Sequence, residues 1–212
     1  MTIKETRNEL FANKIIKNLE RRHFEAYYCP TASEAKEKAL ELIAKGSSVS
    51  WGGSMTIRDI GLTSALKGDE YVVYDRDDVT TAEDKRRIYL QAFDTDYYLG
   101  SVNAMTEDGI LINIDGNGNR VAAMTWGPHR VLLFVSLNKV CQDVDSAIKR
   151  ARSTAAPINM MRFDSLKTPC HADGACHDCL SEDSICNYIS ITRMSHPAKR
   201  HIVILVGEDL GY

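Results

Sequence analysis

The chain is short of most features that mark a specialised class. No apolar run approaches the ~20 residues needed to cross a bilayer, so no membrane partner is expected. The opening residues, MTIKETRNELFANKIIKNLERR, are charged throughout and lack the apolar core of a secretory signal. Neither sign of charge prevails. Lys and Arg number 26 against 29 Asp and Glu, a net −3, so the basic footprint of a nucleic-acid binder is missing. There is no internal repeat and no low-complexity tract. At 44% hydrophobic and 26% charged residues, extensive disorder is excluded. A soluble, cytoplasmic protein is expected. Its 212 residues suit one domain spanning 1–212 with a small appendage.

What is present alternates. An amphipathic helix over Ile3–Arg22 precedes a short strand at His23–Tyr28. Thr31 or Ser33 caps a second helix that Gly46 would close. A strand at Ser47–Trp51, a helix over Met55–Leu66, a strand at Glu70–Tyr74 and a helix from Thr80 or Thr81 to about Phe93 follow. Tyr97–Thr106 and Gly109–Asp115 read as strands joined by a tight turn at Glu107-Asp108. Arg130–Leu137 is the strongest apolar run and predicts a central strand. Val144–Ala155 predicts a helix stopped before Pro157, and His201–Val206 a last strand. Strand–helix repeats with short connections point to an α/β fold: a mixed, mostly parallel sheet with helices on both faces. The first helix has no evident partner in this order, which leaves a homo-oligomer open.

Three segments carry possible chemistry. Gly52-Gly53-Ser54-Met55-Thr56 follows a strand and opens a helix. Its glycines admit a ligand to the backbone, and Ser54 and Thr56 offer hydroxyls to an anion. Asp115-Gly116-Asn117-Gly118-Asn119-Arg120 makes a sharp turn whose amides and side chains are expected to point outward, with Arg120 as a clamp for carboxylate or phosphate. It is not a dinucleotide fingerprint. In Thr106-Glu107-Asp108-Gly109, Glu107 is a candidate nucleophile or base. His129 is placed to face a crevice and Trp51 to line one, whereas His196 and His201 read as surface or sheet-edge residues.

The cysteines are uneven. Cys29 and Cys141 stand alone, whereas Cys170, Cys176, Cys179 and Cys186 crowd into a polar loop over 168–188. Without a secretory signal this pattern points to metal or redox chemistry rather than a disulfide framework. Four thiolates suit an iron–sulfur cluster of the 4Fe–4S type or a tetrahedral zinc, and His171 and His177 permit mixed ligation.

Taken together, Asp115 to Ala123, Trp126-Gly127-Pro128-His129-Arg130-Val131, Leu137-Asn138-Lys139-Val140 and Ala147 to Arg152 resemble the LUD domain family, the lactate-utilisation group. The Gly52 to Thr56 segment and the tail Ile204 to Gly211 fit as well. The resemblance implies a fold like the NagB/RpiA/CoA-transferase group, and an association with oxidation of lactate to pyruvate. In CoA-transferase relatives a glutamate is the nucleophile, and Thr106 to Gly109 matches that motif only at Glu107 and Gly109. The expectation is a redox accessory or subunit of organic-acid metabolism with redox partner subunits. Its small anionic metabolite would sit among Gly52, Gly53, Ser54, Thr56, Asn117, Asn119 and Arg120, and its cluster on the four cysteines. The alternatives are a CoA-transferase-like or sugar-phosphate-isomerase-like enzyme using Glu107, and a regulatory module with a structural zinc.

Overall fold

Strands whose apolar residues run without interruption must be covered on both faces. Arg130–Ser136 shows this: Val131, Leu133 and Val135 enter one apolar cluster while Leu132 and Phe134 enter another on the opposite face. In the computed structural model, which describes residues 2–212, ten strands form. They are β1 (Glu25–Cys29), β2 (Ser48–Trp51), β3 (Val72–Tyr74), β4 (Tyr97–Ser101) and β5 (Ala104–Thr106). Then come β6 (Leu111–Asp115), β7 (Arg130–Ser136), β8 (Val140–Cys141), β9 (Tyr188–Thr192) and β10 (His201–Val206). Six make an all-parallel sheet in the order β1-β10-β7-β4-β2-β3. The other four make a small mixed sheet, β8-β5-β6-β9.

Among the described residues, nine α-helices connect them: α1 (Ile3–Arg21), α2 (Ala32–Leu42), α3 (Met55–Asp59), α4 (Leu62–Leu66) and α5 (Ala82–Gln91), then α6 (Asn119–Thr125), α7 (Val144–Arg150), α8 (Ala156–Met160) and α9 (Pro169–Asp173). Thr2 caps α1 through a reciprocal box with Glu5, and Thr31 and Thr81 cap α2 and α5. α1 buries Ala12, Ile15 and Leu19 in the cluster shared with β7 and β10. Its partner is therefore its own sheet. α2, α3 and α4 cover the opposite face. The α/β class with helices on both faces is as expected.

Several boundaries differ, each for a physical reason. α2 ends at Leu42, and Gly46 lies beyond it in a turn that donates to the Glu70 carbonyl. The helix expected over Met55–Leu66 breaks at Gly61, whose φ of 71° no regular helix accommodates. The expected strand Tyr97–Thr106 divides: β4 stays in the large sheet, and β5 leaves for the small one to form the hairpin with β6. The helix expected to stop before Pro157 continues. A π-turn over Ala151–Ala155 widens the ladder just ahead of the ring, and α8 follows. β9, which the sequence pattern did not reveal, is an edge strand pairing antiparallel with β6.

Candidate ligand crevice and thiol loop

Ligands in open parallel sheets bind beyond the carboxyl ends of the strands, where successive connections turn opposite ways. Here the connection after β2 leads outward to β3, and the one after β4 leads toward β7, so the reversal falls between β2 and β4. A cavity of about 430 Å³ opens there. Its floor comes from Ser54 and Thr56 after β2, Ser101 at the end of β4, and Lys139 after β7. The Asp115 to Arg120 turn supplies one wall, and residues 182–185 of the cysteine loop supply another.

Lys139 is the residue the motif search missed as a site residue. It is 2% exposed, and its Nζ donates to Thr56 Oγ1 at 3.0 Å and Ser101 Oγ at 3.1 Å. Burial, with Arg150 and Arg120 nearby, pushes its pKa from 10.5 down to about 7 against the weaker opposing field of Asp59. Its one signal in the sequence was positional, a lysine just past the most apolar strand, and that position alone does not tell a buried amine from a solvated one. Ser54 Oγ, on the same cavity, is buried with no hydrogen-bond partner among the described residues. Arg76 and Arg162 add cationic lining that the sequence did not single out.

The Asp115–Arg120 turn is built differently from the expectation. Its amides do not point outward. Asp115 Oδ1 accepts from the amides of Asn117 and Gly118, and Oδ2 from those of Arg120 and Val121, at 3.1–3.2 Å. A protein carboxylate thus already occupies the start of α6. Arg120 is held as firmly. Its terminal nitrogens donate to Asn113 Oδ1 (2.8 Å), Asn103 Oδ1 (3.1 Å) and the carbonyls of Ile114 (2.6 Å) and Ser101 (3.3 Å). Gly52 is required by this packing, since a Cβ there would stand 2.9 Å from Arg120 Cδ. A Cβ at Gly53 would likewise meet Arg76 at 2.5 Å.

The structure therefore brings Gly53, Ser54, Thr56, Asn117, Asn119 and Arg120 onto one cavity, with Gly52 directly behind Arg120. Glu107 lies elsewhere. It sits in the β5–β6 turn against α1, where its carboxylate meets Lys14 Nζ at 2.6 Å. His129 is exposed before β7, at the other end of the sheet, and Trp51 is buried in the apolar cluster beneath it. His201 is not a surface residue: it is 4% exposed inside the large sheet, and burial pushes its pKa down to about 4.

The cysteine loop runs from the end of α8 to β9. All four of its thiols are free. Cys176 is exposed, while Cys186 packs beside Ile112, Ile114 and Ala151. Burial, and then the negative charge of Cys170, Cys176 and Cys179, raises the Cys186 thiol to about 11. The other three sulfurs thus lie near enough to act on Cys186. As positioned, no three His, Cys, Asp or Glu side chains among the described residues share one ligating centre. His177 Nε2 instead lies 2.7 Å from Asp173. The donor set is right for a soft metal; the loop stands open around it.

A doubly covered parallel sheet with a polar crevice at its topological reversal defines an α/β protein of the open parallel-sheet class. The sequence profile of the LUD domain matches residues 12–206, and the chain belongs to that family. A crystal structure of a DUF162 family protein from Deinococcus radiodurans is similar over 94% of this chain and 97% of that one, with TM-score 0.56 at 9% identity, which shows a shared fold. Ribose 5-phosphate isomerase from Plasmodium falciparum aligns over 51% of each chain, with TM-score 0.32 and 14% identity. eIF2B delta from Chaetomium thermophilum aligns over 68% of this chain and 57% of that one, with TM-score 0.35 and 13% identity. These two likenesses are too partial to bear on the site. No curated protein matches the sequence. No helix among the described residues is long and apolar enough to cross a membrane.

Proposed function

We propose that this LUD-domain protein serves organic-acid metabolism, binding a small carboxylate or phosphorylated metabolite in the crevice between β2 and β4. One observation carries this reading. The Lys139 amine is buried at the cavity floor with hydroxyl partners and no paired carboxylate among the described residues, so an entering anion would supply a counter-charge. Ser54 Oγ is free to bond the same ligand. Arg120, already bonded to protein acceptors through both terminal nitrogens, contributes field and shape more than new hydrogen bonds. Isothermal titration with lactate and with pyruvate tests this. Binding that weakens at least tenfold in Lys139→Met is the expected result, a loss of about 1.4 kcal/mol. Equal affinity in the variant removes Lys139 from the site.

Cys170, Cys176, Cys179 and Cys186 would hold an iron–sulfur cluster, with zinc as the competing guest. Four free thiols in one short loop, three of them near enough to act on Cys186, support this reading. Such a cluster, when bound, supplies one-electron redox chemistry, consistent with a redox accessory working beside partner subunits. The four cysteines that would hold it lie between the start of the short helix α9 and the strand β9. Anaerobic purification followed by iron, sulfide and zinc quantification decides between the guests. Protein free of all three sinks the redox role and leaves the anion site standing.

A further inference from the structure

A buried lysine beside other cations does more than attract an anion, because it also keeps a reactive lone pair. Lys139 has that setting. Its amine faces the cavity between the hydroxyls of Thr56 and Ser101, and the charged groups acting on it are Arg150 on α7, Arg120 on α6 and Asp59 on α3. Gly211 lies close over it: a Cβ at that position would stand 3.1 Å from Nζ and 2.5 Å from Thr56 Oγ1. The amine is thus enclosed between the main chain and two proton-carrying hydroxyls, open only toward the ligand space.

We propose that Lys139 is a nucleophile that condenses reversibly with a small 2-oxo acid held in this cavity, forming an imine at the ketone carbon. The inference rests on the anion-site reading above and narrows it. The cations Lys139, Arg120, Arg76 and Arg162 outnumber the acids Asp115, Glu182 and Asp183 around the cavity and favour a carboxylate, and an unprotonated amine asks for an electrophilic carbon. A 2-oxo acid carries both one bond apart.

The step balances within the site. The nitrogen lone pair attacks the ketone carbon, and the carbonyl π electrons move to oxygen, which takes a proton. The nitrogen then forms the C=N bond as that oxygen leaves. Both amine hydrogens depart in one water molecule. Thr56 and Ser101 stand where a hydroxyl can pass them from nitrogen to oxygen. At neutral pH, a lysine titrating near 7 offers on the order of 10³ times more neutral amine than an ordinary surface lysine.

The test is trapping. The full chain is incubated with pyruvate slightly above neutral pH, reduced with borohydride, and mapped by peptide mass spectrometry, with calorimetry on the same samples. One reduced pyruvate per chain on the Lys139 peptide is expected. It should be absent from Lys139→Met and Lys139→Arg variants of native circular dichroism. Lactate, which has no carbonyl, should protect Lys139 without leaving an adduct. Pyruvate binding with no adduct at Lys139, or adducts spread evenly over surface lysines, overturns the inference and leaves the anion site intact. Neither heat nor adduct overturns both.

Discussion

The crevice floor and the cysteine loop share one cavity but are built on opposite principles. The floor is assembled from the carboxyl ends of β2, β4 and β7, and its polar atoms, Ser54 Oγ excepted, are held by protein partners, as is the adjoining wall. Asp115 alone accepts four amides. The loop has one short helix, α9, and four thiols of which three act on Cys186 without meeting it at one ligating centre. The floor is organised before any ligand arrives. The loop holds four thiols that do not converge, and on the proposed reading a bound guest would draw them together, as where metal binding completes a local fold. The contrast also fits their positions: residues 182–185 wall the cavity, so closing the loop reshapes the space above Lys139.

The sharpest way to break this contrast is to disturb each region once. Asp115→Ala leaves the first amides of α6 and the Arg120 guanidinium without their carboxylate. A loss of about 3–5 kcal/mol in urea denaturation is expected, as for breaking a buried ionic network. Cys176→Ser changes an exposed side chain and should stay within about 0.5 kcal/mol in metal-free protein. Similar losses from the two variants would remove the distinction between a fixed floor and an open loop.

Lys139 sharpens the same point through pH. Between about 7 and the ordinary lysine value of 10.5, the unfolded chain holds a proton that the folded chain does not. Burying that amine therefore destabilises the fold fully at and below neutral pH, and the cost fades as pH rises through that window. Lys139→Met should be more stable than the natural chain by about 2–4 kcal/mol near neutral pH. The advantage should shrink toward zero near pH 10. Parallel stability curves for the two proteins would mean that Lys139 keeps its proton when folded.

Much of the scaffold was legible because parallel strands advertise themselves. Val131 to Ser136 and His201 to Val206 are buried on both faces and read as unbroken apolar runs. The division of β4 from β5 was not legible, since residues on either side of Val102 and Asn103 are equally buried and the pattern shows no break. β9 was hidden by its exposed edge. The thiol loop was legible from spacing alone. Lys139 was not, because a single lysine after a strand reads like a solvated chain end until the sheet order shows three strand ends meeting above it.

Within the loop, the cysteines should differ in reactivity. Cys186 is held up at about 11 by burial and by its three neighbours, whereas Cys176 is exposed. In metal-free protein, iodoacetamide should label Cys176 several times faster than Cys186, because the thiolate is the nucleophile. Replacing the other three cysteines with serine should speed labelling of Cys186 by lowering its pKa. Mass spectrometry of quenched time points measures both. Equal rates at all four positions would show a loop with no shared field, and the proposal of a common guest would lose its support.

The smallest effect concerns Glu107, the residue the sequence offered as a nucleophile. Its carboxylate meets Lys14 on α1, and its backbone is held by Asn18 and by the Cys141 carbonyl. That ion pair is half open to solvent, with side-chain exposures of 60% and 32%, so screening keeps its contribution below about 1 kcal/mol. Glu107→Gln should leave lactate and pyruvate titrations unchanged and shift the urea midpoint only slightly. An acyl-CoA mixed with the natural protein should give no thioester adduct at this position. A covalent adduct on Glu107, or a tenfold loss of ligand affinity in the variant, would move the chemistry from the crevice to the hairpin and reverse the roles assigned to the two ends of the molecule.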